Sequence, residues 1–461
     1  MLSQRTAYNM LDTALATGAD FAEIFIENNV KNSVSVVNGK VEKALSGRDF
    51  GLGLRLICGD KAIYVYTNDI SKDNLIKIAS EAAAAVKNNV RCVIKSFDKK
   101  DYVNGVGEAV IMPQSVKKKA IADMLKSASS VAFAYDSAIT QTQMSYMDSV
   151  QDVCIINSEG LWSTDHRIRT RASVSAVASN ESEKQTGYFA PGAMSGFELY
   201  DKIDLDKLAS EAASSAVTML KASPCPSGKM DVIMDNGFGG VIFHEACGHG
   251  LEVTAVSKNA SVFAGKLGEK IASDKVTAID DGTLHGKWGS INIDDEGTPA
   301  KRKVLIENGI LKSYMSDRFN GKRMNYPLTG SSRRESYRYM PVARMTNTYI
   351  AAGNDKPRDI ISNTEYGLYA KYMGGGSVNP ASGEFNFAVN EAYIVRNGKI
   401  CEPVRGATLI GKGAEVLLNI DMVGDNLKLA EGMCGASSGS IPVCVGQPMI
   451  RVKNMTVGGR G

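Results

Sequence analysis

Residues 19–67 alternate apolar and polar positions through AEIFIENN, NSVSVVNGKVEKALS and FGLGLRLICGDKAIYVYT. A period of two predicts β-strands, and Asn38-Gly39 and Gly59-Asp60 supply turn chemistry between the runs, so the segment reads as an antiparallel meander. Ahead of it, Ala7, Met10, Leu11, Ala14 and Leu15 recur at helical spacing and predict an amphipathic helix that stops at Gly18. A second helix is expected over about 70–88, with Ser71 as N-cap, and a third over 114–130, starting from Pro113. Strand-like alternation returns over 140–190 and a helix follows at 204–221. The strings SEAAAAV at 80–86 and SEAASSAV at 210–217 close the two sections alike. They are either a quasi-repeat of sheet plus helix or two Ala-rich helices that share a composition.

KASPCPSGKM, with Pro224, Pro226, Ser227 and Gly228, changes the texture of the chain and reads as a linker over 223–228. Beyond it, short apolar runs and the Asn308-Gly309 and Asn397-Gly398 turns predict hairpins, with few long helical periods. The expected fold class is α+β. Residues 1–222 form an α+β unit with an antiparallel sheet and helices. Residues 229–461 form a mainly antiparallel, barrel-like β unit that carries one helix of chemical interest near its start.

Composition narrows the function classes. The 461 residues are 44% hydrophobic and 22% charged, which excludes disorder and coiled coil and is enough chain for two or three cores. With 53 basic and 50 acidic side chains the net charge is +3, so a general nucleic-acid binder is disfavoured. No basic head with an apolar core opens the chain, and no stretch approaches the roughly 18 apolar residues that span a bilayer. The eight cysteines are scattered without a CxxC pair and read as reduced thiols. These features predict a cytoplasmic protein without a membrane segment.

The four histidines are His166, His244, His249 and His285. His244, Glu245 and His249 stand together in DNGFGGVIFHEACGHGLE, where imidazoles suit zinc and a carboxylate suits a general base. The spacing of the histidines is i, i+5, which on a regular α-helix leaves the two rings about 140° apart. Gly248 and Gly250 flank His249, so the helix is expected to end, kink or bulge there. Cys247 offers another solution, because at i+3 it shares a face with His244 on an undistorted helix.

HEACGHGLE resembles the HExxxH signature of the TldD/PmbA family of metalloproteases, in its TldD-type branch. The resemblance extends through SINIDDEGTPAKRKVLIENGILKSYMSDR at 290–318, RRESYRYMPVARMTNTY at 333–349, GGGSVNPASGEF at 374–385, VRGATLIGKGAE at 404–415 and VGQPMIRVKNMTVGG at 445–459. It implies one Zn²⁺ per chain on His244, His249 and a distant thiolate, Cys434 in EGMCGASSGS, with Glu245 as general base. It also implies a peptidase for extended or unfolded peptides that works as a dimer, with itself or with a PmbA/TldE-like paralogue. The chain departs from the family at HGLEVT (249–254) and CGASSG (434–439), which touches loop shape and leaves the ligands intact. The alternatives are a non-catalytic peptide-binding or assembly subunit, or a hydrolase with Cys434 as nucleophile. The family's historical link to DNA gyrase adds a topoisomerase modulator, which no residue here requires.

Other candidates are weaker. Arg333, Arg334, Glu335, Tyr337, Arg338, Tyr339 and Arg344 mix base and ring. They read as a nucleic-acid strip, as arginines paired with nearby acids, or as the lining of the peptide site, with Tyr337 as an electrophilic helper; near-balanced charge favours the peptide site over nucleic acid. Gly374, Gly375 and Gly376 suit either a turn or a sheet edge on which a peptide pairs through its backbone. Asp280, Asp281, Asp294, Asp295 and Glu296 sit in Gly-containing contexts that read as turns rather than as a cation site.

Overall fold

The structure is a computed structural model that describes residues 2–86, 88, 92–102, 105–379 and 381–459. Helix α1 (Gln4–Leu15) is capped by the Ser3 side chain, which accepts from the Thr6 N–H, and it buries the five residues its periodicity marks. Strands β1 (Phe21–Val37), β2 (Lys40–Cys58) and β3 (Lys61–Thr67) form the expected meander, and helix α2 (Lys72–Ala84) follows. Asn38 and Gly39 both take positive φ, as the tight hairpin between β1 and β2 requires. Ser71 occupies the N-cap of α2 without a side-chain cap bond.

Strand β4 (Asp98–Tyr102) leads to a short 3₁₀ turn at Pro113–Ser115 and helix α3 (Lys118–Tyr135). This helix starts four residues later than Pro113 suggests, because Val116 and Lys117 are extended. Strands β5 (Ile139–Asn157) and β6 (Leu161–Ser179), a shorter strand over Lys184–Phe189 and helix α4 (Leu205–Lys221) complete the section. The order helix–strand–strand–strand–helix therefore occurs twice, with a two-residue strand at Gly192–Ala193 and a 3₁₀ turn at Phe197–Asp201 added before α4, and the two Ala-rich strings fall at α2 and α4. The sheet runs β3-β2-β1-β5-β6-β4. One core joins α1 and α2 to even-numbered residues of β1 and β2, such as Ile24 and Leu54; a second joins α3 and α4 to Val34, Tyr146 and Val174.

The opposite face of this sheet is charged and buried. Glu23 pairs with Arg55 and Arg334, each at 2.8 Å, and Arg55 reaches Glu296 at 2.7 Å. Arg167 bridges Asp165 and Asp295 at 2.7 and 2.8 Å, and Arg169 donates to the Trp288 and Ser290 carbonyls. Segments 288–296 and 331–338 of the C-terminal half cover these side chains.

The second half is β-rich, as predicted, with its own apolar core. Strands Gly228–Met234, Tyr366–Val378, Glu384–Arg396, Thr408–Lys412 and Ile450–Gly458 close on one another as a five-stranded barrel. Two pairings depart from the antiparallel expectation: Asp231–Met234 runs parallel to Gly367–Ala370, and Asn347–Tyr349 runs parallel to Cys444–Gly446. Both join strands distant in sequence, which no hairpin signal can announce. Within the expected linker, Ser223–Pro224 lies in sheet register beside Val404–Arg405. No helix among the described residues is long and apolar enough to cross a membrane.

Candidate metal centre

The HEACGHGLE segment is buried where the barrel meets a second sheet, whose final hairpin pairs Lys428–Ala436 with Gly439–Gln447. The approach is close because a Cβ on Gly240 would lie 2.5 Å from the Gly446 backbone. Val241–Phe243 is α-helical, and His244–Gly248 then widens into a π-helical turn in which the His249 N–H donates to the His244 carbonyl. The predicted distortion is thus a π-bulge. It turns residues five apart toward a common point, which a 3.6-residue period cannot do. Gly248 packs closely against a neighbour, since a Cβ there would meet Met345 Sδ at 2.2 Å and force that side chain to shift.

The imidazoles of His244 and His249 lie nearly perpendicular, at 86°, with ring centroids 5.1 Å apart. Cys434 reaches them from the hairpin, its Sγ 3.1 Å from His244 Nε2 and 3.3 Å from His249 Nε2. The three donor atoms lie within 4.8 Å of one another. Zinc bonds to nitrogen and sulfur of about 2.0–2.3 Å place tetrahedral ligand atoms roughly 3.5 Å apart, so the cluster has the size and donor chemistry for zinc. His244 and Cys434 are buried and His249 nearly so, whereas the Glu245 side chain is 26% exposed beside the cluster, its Oε2 3.6 Å from His249 Nε2.

Electrostatics single out the same thiol. Burial pushes the thiols of Cys154 and Cys444 up to about 12. Cys434 is buried too, but the charges and hydrogen bonds of His244 and His249 bring it down to about 3. Burial acts to lower His249, yet Glu252 and the Cys434 sulfur outweigh it and raise the imidazole well above its ordinary value. The cluster therefore favours a thiolate, the form that binds metal, and metal binding would displace protons from it.

Glu252 was not anticipated from the sequence. Its Oε1 lies 3.2 Å from His249 Nδ1, an ion-pair distance without hydrogen-bond geometry, so a carboxylate faces one nitrogen of His249 while the other faces Cys434. This is the carboxylate–histidine arrangement that fixes ring orientation at metal sites. The i+3 spacing of Glu252 from His249 was the available signal. Cys247 points into the apolar core, where burial raises its thiol, and it lies outside the three-residue cluster.

The remaining candidates lie elsewhere. Arg333 is buried and donates to the Met345 carbonyl. Arg334 is buried against Glu23, Tyr64 and the Asp295 carbonyl. Tyr337 is 2% exposed, with its N–H on Glu27 and its hydroxyl 3.3 Å from Asp49. All three are occupied by protein partners. Gly374 and Gly376 are confined by Asn390 and by Asn386 and Phe387, whereas Gly375 faces open space. Their strand pairs with Gly228–Met234 only as far as Ala370; past it, no other strand of the described residues pairs with that edge. His166 pairs with Asp152, and His285 is exposed. Asp280, Asp294, Asp295 and Glu296 are taken up by backbone N–H groups, Lys303 and arginines, and Asp281 by Thr283.

Family models for the PmbA/TldA metallopeptidase C-terminal domain, central domain and domain 1 match residues 227–459, 111–220 and 22–86. A metalloprotease TldD homologue of Haemophilus influenzae is 36% identical over 99% of this chain and 97% of its own length. One from Buchnera aphidicola is 34% identical over 99% and 96%. The zinc metalloprotease TldD homologue of Saccharolobus solfataricus is 27% identical over 98% and 99%. Among solved structures, TldE from Thermococcus kodakarensis superposes with a TM-score of 0.76 at 18% identity, covering 98% of this chain and all of its own. A candidate modulator of DNA gyrase from Bacteroides thetaiotaomicron does so with a TM-score of 0.79 at 18% identity over the whole of both chains. At these identities the two structures speak for the fold.

Proposed function

The chain belongs to the PmbA/TldD family of metallopeptidases, and from that premise we propose a zinc-dependent peptidase for extended or unfolded peptides, with one Zn²⁺ per chain on His244, His249 and Cys434. The observation that carries the reading is the convergence of two imidazoles and one thiolate from positions 185 to 190 residues apart. Zinc bound there supplies Lewis acidity that polarises a scissile carbonyl and acidifies water. Glu245, placed at the less buried side of the cluster, accepts the proton of the attacking water and delivers it to the leaving amine. Glu252 holds His249 in the orientation that presents Nε2.

The open strand edge past Ala370 suits a peptide that adds as a further strand and is read through its backbone, with little side-chain preference. Two units, 1–222 and 229–461 joined by 223–228, fit the separate apolar cores. A cytoplasmic dimer, homomeric or with a TldE-like paralogue, completes the proposal.

The experiment is Glu245→Ala in purified, zinc-loaded protein. Zinc content is expected to stay at the wild-type level while hydrolysis of an unfolded peptide falls about 10²–10⁴-fold. Undiminished hydrolysis would remove Glu245 from the mechanism. The depressed Cys434 thiol also supports a second reading, a cysteine nucleophile activated by histidine. Chelation followed by added Zn²⁺ separates the two. Recovery of activity only with the metal speaks for zinc, and full activity in metal-free protein speaks for the nucleophile.

A further inference from the structure

Cys434 differs from the two histidines in how it is held. His244 and His249 share one helical segment, but Cys434 lies two residues from the end of a strand at the edge of its sheet. Its partner there is the returning strand, in the Cys434–Ile441 pair. Holding the thiolate within bonding range of two imidazoles needs more than this single ladder.

The additional contacts come from segment 331–344. Arg344 is wholly buried, and every side-chain bond it makes goes to the Cys434 hairpin. Its Nη2 donates to the Cys434 carbonyl, and its Nη1 donates to Ser438 Oγ and the Gly439 carbonyl, both at 3.0 Å. No carboxylate of the described residues pairs with it, so the guanidinium is committed to these acceptors. Glu335 reinforces the hold, its own N–H donating to the Ser438 carbonyl at 2.8 Å and its Oε2 accepting from the Ser440 N–H at 2.7 Å. The same segment is anchored on the N-terminal sheet, through Arg334 on Glu23 and the Tyr337 N–H on Glu27.

We propose that Arg344 is a positioning residue for the metal centre: it clamps the Cys434 hairpin and holds the thiolate in place for the metal before the metal arrives. The inference rests on the zinc-peptidase reading above and adds a residue that touches neither metal nor substrate. A planar guanidinium suits the task because it donates in two directions at once, to the ligand's own carbonyl and to the turn beyond it. It also gives segment 331–344 a role other than lining a peptide site, since it links the N-terminal sheet to one metal ligand.

The test uses full-length protein loaded with Co²⁺, whose thiolate charge-transfer absorption reports the Cys434 bond separately from the ligand-field bands common to all the ligands. Arg344→Met is expected to weaken metal binding about 10–100-fold in a chelator competition. It should also lower the charge-transfer intensity per bound cobalt while the ligand-field bands persist. Arg344→Lys is expected to recover part of both. Ser438→Ala removes one acceptor and leaves the guanidinium in place, so it should fold and show a several-fold loss of affinity. If Arg344→Met fails to fold by circular dichroism, Ser438→Ala decides, and unchanged affinity and band intensity there would overturn the inference. Wild-type spectra in both folded variants would overturn it as well. Absence of the charge-transfer band from the wild-type protein would instead overturn the ligand set on which it rests.

Discussion

Replacing Arg334 by Met asks whether the basic and aromatic stretch after residue 332 serves substrate or fold. The substitution keeps an unbranched stem but deletes the Nη2 contacts with Glu23 Oε1 at 2.8 Å and the Asp295 carbonyl at 2.9 Å. The Nη1 contact with the Tyr64 hydroxyl and the cation over the Phe25 ring at 4.2 Å are lost as well. Glu23 is 1% exposed and among the described residues would keep only Arg55 as a charged partner, which it already shares with Glu296. Breaking a buried pair in this way costs about 3–5 kcal/mol, because the remaining charge has no water to replace its partner. Set against a typical total of about 5–15 kcal/mol, such a loss is large. Urea unfolding followed by circular dichroism should show a clearly lowered midpoint, and peptide KM for the folded fraction should be unchanged. A wild-type midpoint with a raised KM would refute the structural assignment and return Arg334 to the substrate site.

Two further predictions address the helix and a surface histidine. Gly248→Ala places a methyl 2.2 Å from Met345 Sδ in a fully buried setting, so it should destabilise by about 1–3 kcal/mol and weaken zinc binding. Unchanged unfolding and unchanged affinity in a chelator competition would argue against the packed π-turn. The Asp152 carboxylate accepts from His166 Nδ1–H and raises the His166 pKa, so with Asp152 ionised the pair's contribution is complete below pH 6.5 and disappears as pH rises through the folded-state value. Asp152→Asn should therefore lower stability more at pH 5.5 than at pH 8.5, by no more than about 1 kcal/mol for a partly exposed pair. Equal losses at the two pH values would exclude that ion pair as the cause.

Local periodicity carried the helices and hairpins. The five apolar positions of α1 are the five it buries, and Asn308-Gly309 and Asn397-Gly398 are turns with positive φ. The bulge at Gly248 was also legible, because a five-residue spacing and a regular helix are geometrically incompatible. Cys434 came from family resemblance, since nothing in its own neighbourhood marks it as a partner of residues almost 200 positions earlier. The buried charged face of the N-terminal sheet was not legible. Alternation in FAEIFIEN separates two faces, but Glu23 and Glu27 read as solvent-facing until segments 288–296 and 331–338 are known to cover them. Arg344 was masked for the same reason, as its partners lie 90 to 95 residues away. The helix α3 boundary shifted because Pro113 opens a 3₁₀ turn rather than the helix itself.

In the proposed enzyme, His244, His249 and Cys434 jointly hold one catalytic zinc ion. Elemental analysis of the purified protein, wild type beside Cys434→Ala, tests it most directly. One zinc per chain is expected in the wild type, and loss of that zinc in the variant, with the fold retained by circular dichroism. Equal zinc in both proteins would contradict it and turn attention to Cys247.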